Sequence, residues 1–421
     1  MKRIKQFVAS AVALVGAVIS GAFTANGFRP LSKRGYSSLY AFGYGVVASE
    51  LPLQMLAPQP LALAAVSRPL GRRTATFVWL LAGLSWLGLL DLYRVGRAAD
   101  GPLTRALDAG LGPERRRDSR GLWPRSEEIP GKRPGLVRMF RVHRTYAHDS
   151  NVSYGEFGRR NHLDVWHHPD LPHDGRAPVL LQVPGGAWML GSKRGQAHPL
   201  MSHLAARGWV CVSISYRLSP RSTWPDQIVD VKRAIAWVKE HIAEYGGDPE
   251  FIAITGGSAG GHLSSLAALT PNRPEFQPDF PEVDTTVQAA IPYYGVYDFT
   301  RSDTSTHPLM VPMLEQYVLK QSRRKFPDIY QAASPISCVN PDAPPFFVLH
   351  GSNDSLVPVE QARSFGARLR DVSRAPVVYA ELPRAQHGFD VFGSPRAAHA
   401  ALAVEQFLAE VYARGRADRA T

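Results

Sequence analysis

Ser258 lies in Gly256-Gly257-Ser258-Ala259-Gly260-Gly261, between the apolar run FIAIT and the helix-forming run HLSSLAALT. Strand, turn and helix in that order are the context in which a G-x-S-x-G turn lifts a serine hydroxyl out of a sheet. Gly256 and Gly260 leave room for the strained turn, and the amide of Ala259 at the helix start points at any oxyanion that forms there. A hydroxyl is a poor nucleophile until a base takes its proton, so a histidine oriented by a carboxylate must follow. Two later loops supply them: Asp354 in GSNDSLVP after the run PFFVLH, and His387 in PRAQHGF after VVYAEL. Asp298, in YGVYDF, is the competing carboxylate; Asp354 is preferred because it follows the strand next before that of the histidine. Earlier, the run LLQV ends in Pro184-Gly185-Gly186-Ala187-Trp188, where two glycines let backbone amides turn toward a substrate carbonyl. Trp188 is expected to wall a substrate pocket, with a purely structural role as the equal alternative.

Positioning these groups takes a sheet. From about residue 136 short β-rich runs alternate with helical ones: strands are expected at Val137, Leu163, Pro178, Trp209, Phe251, Val287, Pro345 and Val377. Helices are expected over 226–244, 259–269, 358–370 and 396–413. Buried strands alternating with helices predict a mostly parallel eight-stranded sheet covered on both faces, with reactive groups at the C-terminal ends of its strands. The order Ser258, Asp354, His387 is that of the α/β-hydrolase fold. Met310, Met313, Leu314, Tyr317 and Val318 stand at helical spacings in 300–324, which suits either a lid or ordinary core packing.

The chain has 421 residues, 45% of them hydrophobic and 20% charged, enough to fold around one large core or two modest ones. Its two cysteines, Cys211 and Cys338, organise neither a disulfide framework nor a zinc site, and no metal is expected. The net charge of +12 resembles a nucleic-acid footprint until it is divided: residues 1–140 carry 20 Lys and Arg against 8 Asp and Glu, while 141–421 carry 28 against 28. The excess therefore flanks apolar segments, and nucleic acid is excluded as a partner.

Lys2, Arg3 and Lys5 precede the uncharged run 7–23, close to the lower limit of about 17 residues for a membrane-spanning helix. A cleaved signal peptide ending at Ser20-Gly21-Ala22 is the rival reading. The run 74–90, TATFVWLLAGLSWLGLL, is the stronger membrane candidate because no cleavage explains it. Between them 35–66 is interrupted by Glu50, Pro52, Pro58 and Pro60, as in one kinked span or a hairpin; a helical cap over the core is the alternative for 35–90. Basic residues follow every segment, so the positive-inside rule chooses no side. The expected organisation is a membrane-anchoring helical region over 1–95, a basic linker over 96–135 and a catalytic domain over 136–421. A chain beginning near residue 130 should then be soluble.

The blocks PGGAW at 184, YRLSP at 216, YGGDP at 245, GGSAGG at 256, GSNDSLVP at 351 and HGF at 387 resemble, in order, those of hormone-sensitive-lipase-like and feruloyl-esterase-like α/β-hydrolase esterases. The resemblance covers about 140–412 and lies nearest the membrane-bound actinobacterial carboxylesterases. It implies a membrane-anchored serine carboxylesterase acting on a small-molecule or lipid ester, with no cofactor. It further implies that Ser258, Asp354 and His387 form the triad and that the amides of Gly186, Ala187 and Ala259 hold the oxyanion. Pro184 stands where the family has histidine, which bears on the anchoring of the loop but not on its later donors. An amidase or peptidase with the same triad and a non-catalytic binding module on this scaffold are the alternatives.

Overall fold

The computed structural model describes residues 2–115, 146–173, 176–301 and 305–420. The strand expected at Val137 and the linker beyond Arg115 lie outside them. Eight strands form one sheet in the order β1-β2-β4-β3-β5-β6-β7-β8. They are β1 Ala147–Ser153, β2 His162–His167, β3 Ala177–Val183, β4 Val210–Ile214, β5 Gly247–Gly257, β6 Ala289–Tyr293, β7 Phe346–Gly351 and β8 Val377–Leu382. β2 runs antiparallel to β1 and β4, and the other neighbours are parallel. The central strands are buried on both faces, as the continuous apolar runs VLLQV and FIAIT require. The register aligns the strand ends: Gly257 faces Tyr293, Tyr293 faces Leu349, and Gly351 faces Leu382. The loops after β5 to β8 thus meet along one edge of the sheet.

One face of the sheet packs against the helices Asp226–His241, Ala259–Leu269 and Glu360–Val372. Met310, Leu314 and Val318 join that core and Met313 packs against it, so most of the stripe in 300–324 is core packing, while Tyr317 faces outward. The other face is covered by His198–Ala206, Pro395–Ala420 and a helix from the N-terminal third, α6 (Asp100–Leu111). Leu103, Leu107 and Leu111 of α6 are buried beside Val378 and Leu382 of β8. The first part of the expected linker is therefore a core helix. Four-residue leucine spacing gives it one apolar stripe, and that stripe is wedged onto the sheet.

The remaining N-terminal helices are α1 (Lys2–Phe28), α2 (Ser37–Glu50), α3 (Pro52–Leu56), α4 (Gln59–Ser67) and α5 (Arg72–Arg97). Pro52 and Pro60 open α3 and α4, so the segment expected as a kinked span or hairpin is three separate helices. Ala13 and Ala17 meet Val78, Thr24 meets Ser85, and Gly27 meets Leu92, so α1 and α5 run in the same direction, with α3 and α4 returning beside them. Small residues permit the close approach: a Cβ on Gly88 would lie 2.5 Å from Thr24. Inside the bundle Ser20 donates to Gln59 at 2.9 Å and bonds Ser85 at 2.8 Å, while Trp86 donates to Gln59 at 2.9 Å. Gln6–Phe28 and Arg72–Leu111 are long and apolar enough to contain a membrane span, with mean hydropathies of 2.0 and 1.6.

Candidate active site

β5 ends at Gly257, and Ser258 occupies φ 58°, ψ −121° before the helix Ala259–Leu269 begins. A side chain rarely adopts that conformation, and the neighbours show why it is held here. A Cβ on Gly256 would lie 2.5 Å from the Gly260 backbone, and one on Gly260 would lie 2.1 Å from the Val183 carbonyl oxygen. The Ser258 amide donates to the Tyr293 carbonyl at 3.0 Å, pinning the turn to the end of β6.

Asp354, after β7, is buried, and its Oδ1 accepts from the amides of Leu356 at 2.9 Å and Val357 at 2.8 Å. Its Oδ2 accepts from Nδ1 of His387, after β8, at 2.7 Å. His350 Nε2 lies 3.2 Å from the same oxygen. Burial alone pushes the Asp354 carboxyl up, but the charge of His387 and hydrogen bonds from His350 and His387 outweigh it and hold the group well below the usual carboxylate range. An ionised carboxylate on Nδ1 fixes the tautomer that leaves Nε2 of His387 as an acceptor, the form a general base needs. Asp298, the competing carboxylate, turns its Oδ1 to the amide and hydroxyl of Thr300 at 2.8 and 2.6 Å. Tyr294 links the loops: its ring centroid is 4.5 Å from that of His387, and a Cβ on Gly257, next to Ser258, would lie 2.7 Å from its hydroxyl.

After β3 the backbone passes through three successive positive φ values, 127° at Gly186, 52° at Ala187 and 60° at Trp188. This turn is held by Tyr216, whose hydroxyl donates to the Pro184 carbonyl at 3.0 Å, and by Gln196, which accepts from the Gly185 amide at 2.7 Å. Those two contacts anchor the loop where the sequence departs from its family pattern. Among the described residues the amides of Gly186, Ala187 and Ala259 have no partner within the chain, which leaves three donors free for an oxyanion. For Trp188 the contacts within the chain are those of the structural alternative. The residue is 1% exposed, and its Nε1 donates to His262 Nδ1 at 3.1 Å. Burial pushes His262 down to about 4, so the neutral ring accepts from Trp188 and donates to the Ala333 carbonyl at 2.7 Å. The indole braces the loop from inside.

Sequence reasoning missed three residues around His387. Asp390 accepts a hydrogen bond from the Tyr294 hydroxyl. Gln386 accepts from the amides of Ser355 at 2.8 Å and His387 at 2.9 Å, joining the acid and base loops. The third, Phe42 of α2, stands edge-on to His387 with centroids 5.8 Å apart. Asp390 and Gln386 flank the HGF block and could have been found there; nothing local marks Phe42.

Comparison with known proteins decides the family. The BD-FAE family matches residues 163–369. The chain is 62% identical over 402 residues to the probable carboxylic ester hydrolase LipM of Mycobacterium tuberculosis, covering 95% of this chain and 93% of that one. The chain belongs to the α/β-hydrolase family of carboxylic ester hydrolases. A second member, the esterase LipQ of the same organism, is 51% identical over 79% of this chain and 77% of its own. Among solved structures, Thermogutta terrifontis esterase 2 phosphonylated by sarin superposes with a TM-score of 0.51 at 26% identity, over 66% of this chain and 93% of that one. The mostly parallel eight-stranded sheet expected from the sequence pattern is thus present in the structure, and the chain shares its fold with a solved esterase.

Proposed function

We propose that the protein is a membrane-anchored carboxylic ester hydrolase working through an acyl-enzyme on Ser258. His387 takes the serine proton at Nε2 as the hydroxyl attacks the ester carbonyl, and Asp354 holds the imidazole and stabilises its charged form. The amides of Gly186, Ala187 and Ala259 meet the negative charge on the carbonyl oxygen, and His387 then returns the proton to the leaving alcohol. Water, deprotonated by the same histidine, releases the acid. The observation that carries this reading is the strained Ser258 turn on the sheet edge that also bears the His387–Asp354 pair. A fluorophosphonate probe tests it. It should label one serine, identified as Ser258 by peptide mass, and abolish turnover of nitrophenyl esters; labelling elsewhere with activity retained overturns the assignment.

Membrane anchoring is supported by uncovered apolar faces. Phe7, Val12 and Val18 of α1 and Leu80, Leu84 and Leu87 of α5 are each more than half exposed, while the polar groups Ser20, Thr24, Gln59 and Ser85 turn inward and bond one another. Such an arrangement, apolar outside and hydrogen-bonded inside, suits a lipid surrounding. The full chain should sediment with membranes and resist carbonate extraction; release into the carbonate supernatant overturns this part.

A further inference from the structure

Helix α2 packs on α1 and α5, with Asn26 donating to the Ala41 carbonyl at 2.7 Å and Ala48 beside Leu89 and Leu92, and it also lies across the reaction site, tethered to the catalytic domain at both ends. At its start Ser38 Oγ is 2.9 Å from His307 Nε2, and the Ser38 carbonyl accepts from Ser355 Oγ, one residue after Asp354. At its end Glu50 accepts from Ser394 at 2.7 Å and pairs with Arg396. Between these ties Phe42 points down at His387.

The opposite side is aromatic and open. Tyr36, just before the helix, is 73% exposed, and Leu39, Tyr40 and Tyr44 are also exposed. This surface continues that of α1, because Tyr44 stacks on Phe23 with centroids 4.1 Å apart. The loop joining the helices carries Arg29, Lys33 and Arg34, which with Asn353 line a cleft of about 560 Å³. Among the described residues none of the three cations is paired with a carboxylate. Exposed tyrosines spaced four residues apart along α2, cations in the loop before it and an apolar helix pair beside it are the chemistry of a membrane–water interface, where rings sit among headgroups and cations meet phosphates.

We propose that α2 is an interfacial helix that seats the reaction site on a phospholipid bilayer, so that the ester cleaved is that of an amphiphile drawn from the membrane, with Phe42 contacting its chain. This rests on the esterase reading. The basic cleft is filled by headgroup phosphates of the same bilayer, and the tethers at Ser38 and Glu50 keep Phe42 beside His387 when the bundle is embedded.

The test uses the full chain in vesicles of phosphatidylcholine with phosphatidylglycerol. Two esters share one leaving group: nitrophenyl palmitate dissolved in the bilayer and nitrophenyl acetate in the water. Wild type should cleave both, and Tyr40→Glu, on the exposed face, should lower the palmitate-to-acetate ratio of kcat/KM at least tenfold. Phe42→Leu should shift the same ratio at least fivefold, with unchanged circular dichroism. Ratios that stay put in both variants overturn the proposal, as does an equal fall on both esters, which would make α2 a support for His387 alone. Wild type active on acetate but inert on bilayer palmitate overturns the proposal and leaves the esterase reading standing. Inertness toward both esters overturns the esterase reading and the proposal with it.

Discussion

Glu50, at the end of the helix that crosses the site, and Arg396, in the last helix of the chain, form an ion pair in which the residues are 2% and 1% exposed. A buried charge left without its partner is far more costly than the pair itself is stabilising. Glu50→Ala should therefore lower stability by about 3–5 kcal/mol, while Glu50→Met combined with Arg396→Leu should recover most of that loss. Thermal unfolding in one detergent measures both, and a single variant within about 1 kcal/mol of wild type would show that water reaches the pair.

The same relationship changes the expected outcome of truncation. A chain beginning near residue 130 lacks Glu50 and also α6, whose Leu103, Leu107 and Leu111 cover β8. Each buried leucine contributes about 1.5–3 kcal/mol, a sum comparable to the whole stability of a domain. Such a chain should aggregate or unfold, which size-exclusion chromatography and circular dichroism would register; a soluble, active fragment would mean that α6 is dispensable.

Ser258 and His387 should behave as one unit. Ser258→Ala and His387→Ala should each lower kcat by about 10⁴ or more, with the double variant little worse than either. Additive losses in a double-mutant cycle would place the base elsewhere.

Asp390 introduces a pH dependence of stability. Burial pushes its carboxyl up to about 6, against the hydrogen bond from Tyr294 and the charge of His387, with Glu50 adding to the rise. The folded state thus binds the proton more tightly than the unfolded chain, whose carboxyl titrates near its ordinary value of about 4. Between those values the folded form holds more protons, so this group's contribution to stability falls as pH rises from about 4 to about 6 and levels off above. Asp390→Asn should flatten that segment of a plot of Tm against pH, and an unaltered slope would assign it to another group.

The candidate site was legible in the sequence because its turn restricts residue types at fixed places: a Cβ at Gly256 or Gly260 would collide with backbone, so the glycines around Ser258 mark the turn. The central strands were legible because burial on both faces leaves continuous apolar runs. β1 was not, since AHDSNVS is an edge strand with no apolar alternation to mark it. α6 carried its leucine stripe openly, but Gly101, Pro102, Gly110 and the arginines that follow gave the segment the look of a linker. Gly110 in fact serves a close approach: a Cβ there would lie 2.7 Å from the Val377 carbonyl oxygen. Phe42 was out of reach, because its role arises only from contact with a residue at the other end of the chain.

Pro184 and Gly186 separate what the proposed oxyanion loop needs from what it tolerates. Proline has no amide hydrogen, so position 184 can end β3 but cannot donate to an oxyanion. What the structure asks of it is a carbonyl for Tyr216, and any residue supplies one. Pro184→His should therefore change kcat/KM by less than about tenfold, roughly 1.4 kcal/mol. Gly186 differs on two counts: its φ of 127° suits glycine alone, and an added Cβ would lie 2.5 Å from the Leu190 carbonyl oxygen. Gly186→Ala must move the turn and with it the neighbouring amides, so kcat should fall by about 10² to 10³, the loss expected when one oxyanion donor is removed. Steady-state kinetics on one soluble ester compares the two variants. Equal losses would mean that position 184 also shapes the donors; a mild Gly186→Ala would mean that the oxyanion is held elsewhere.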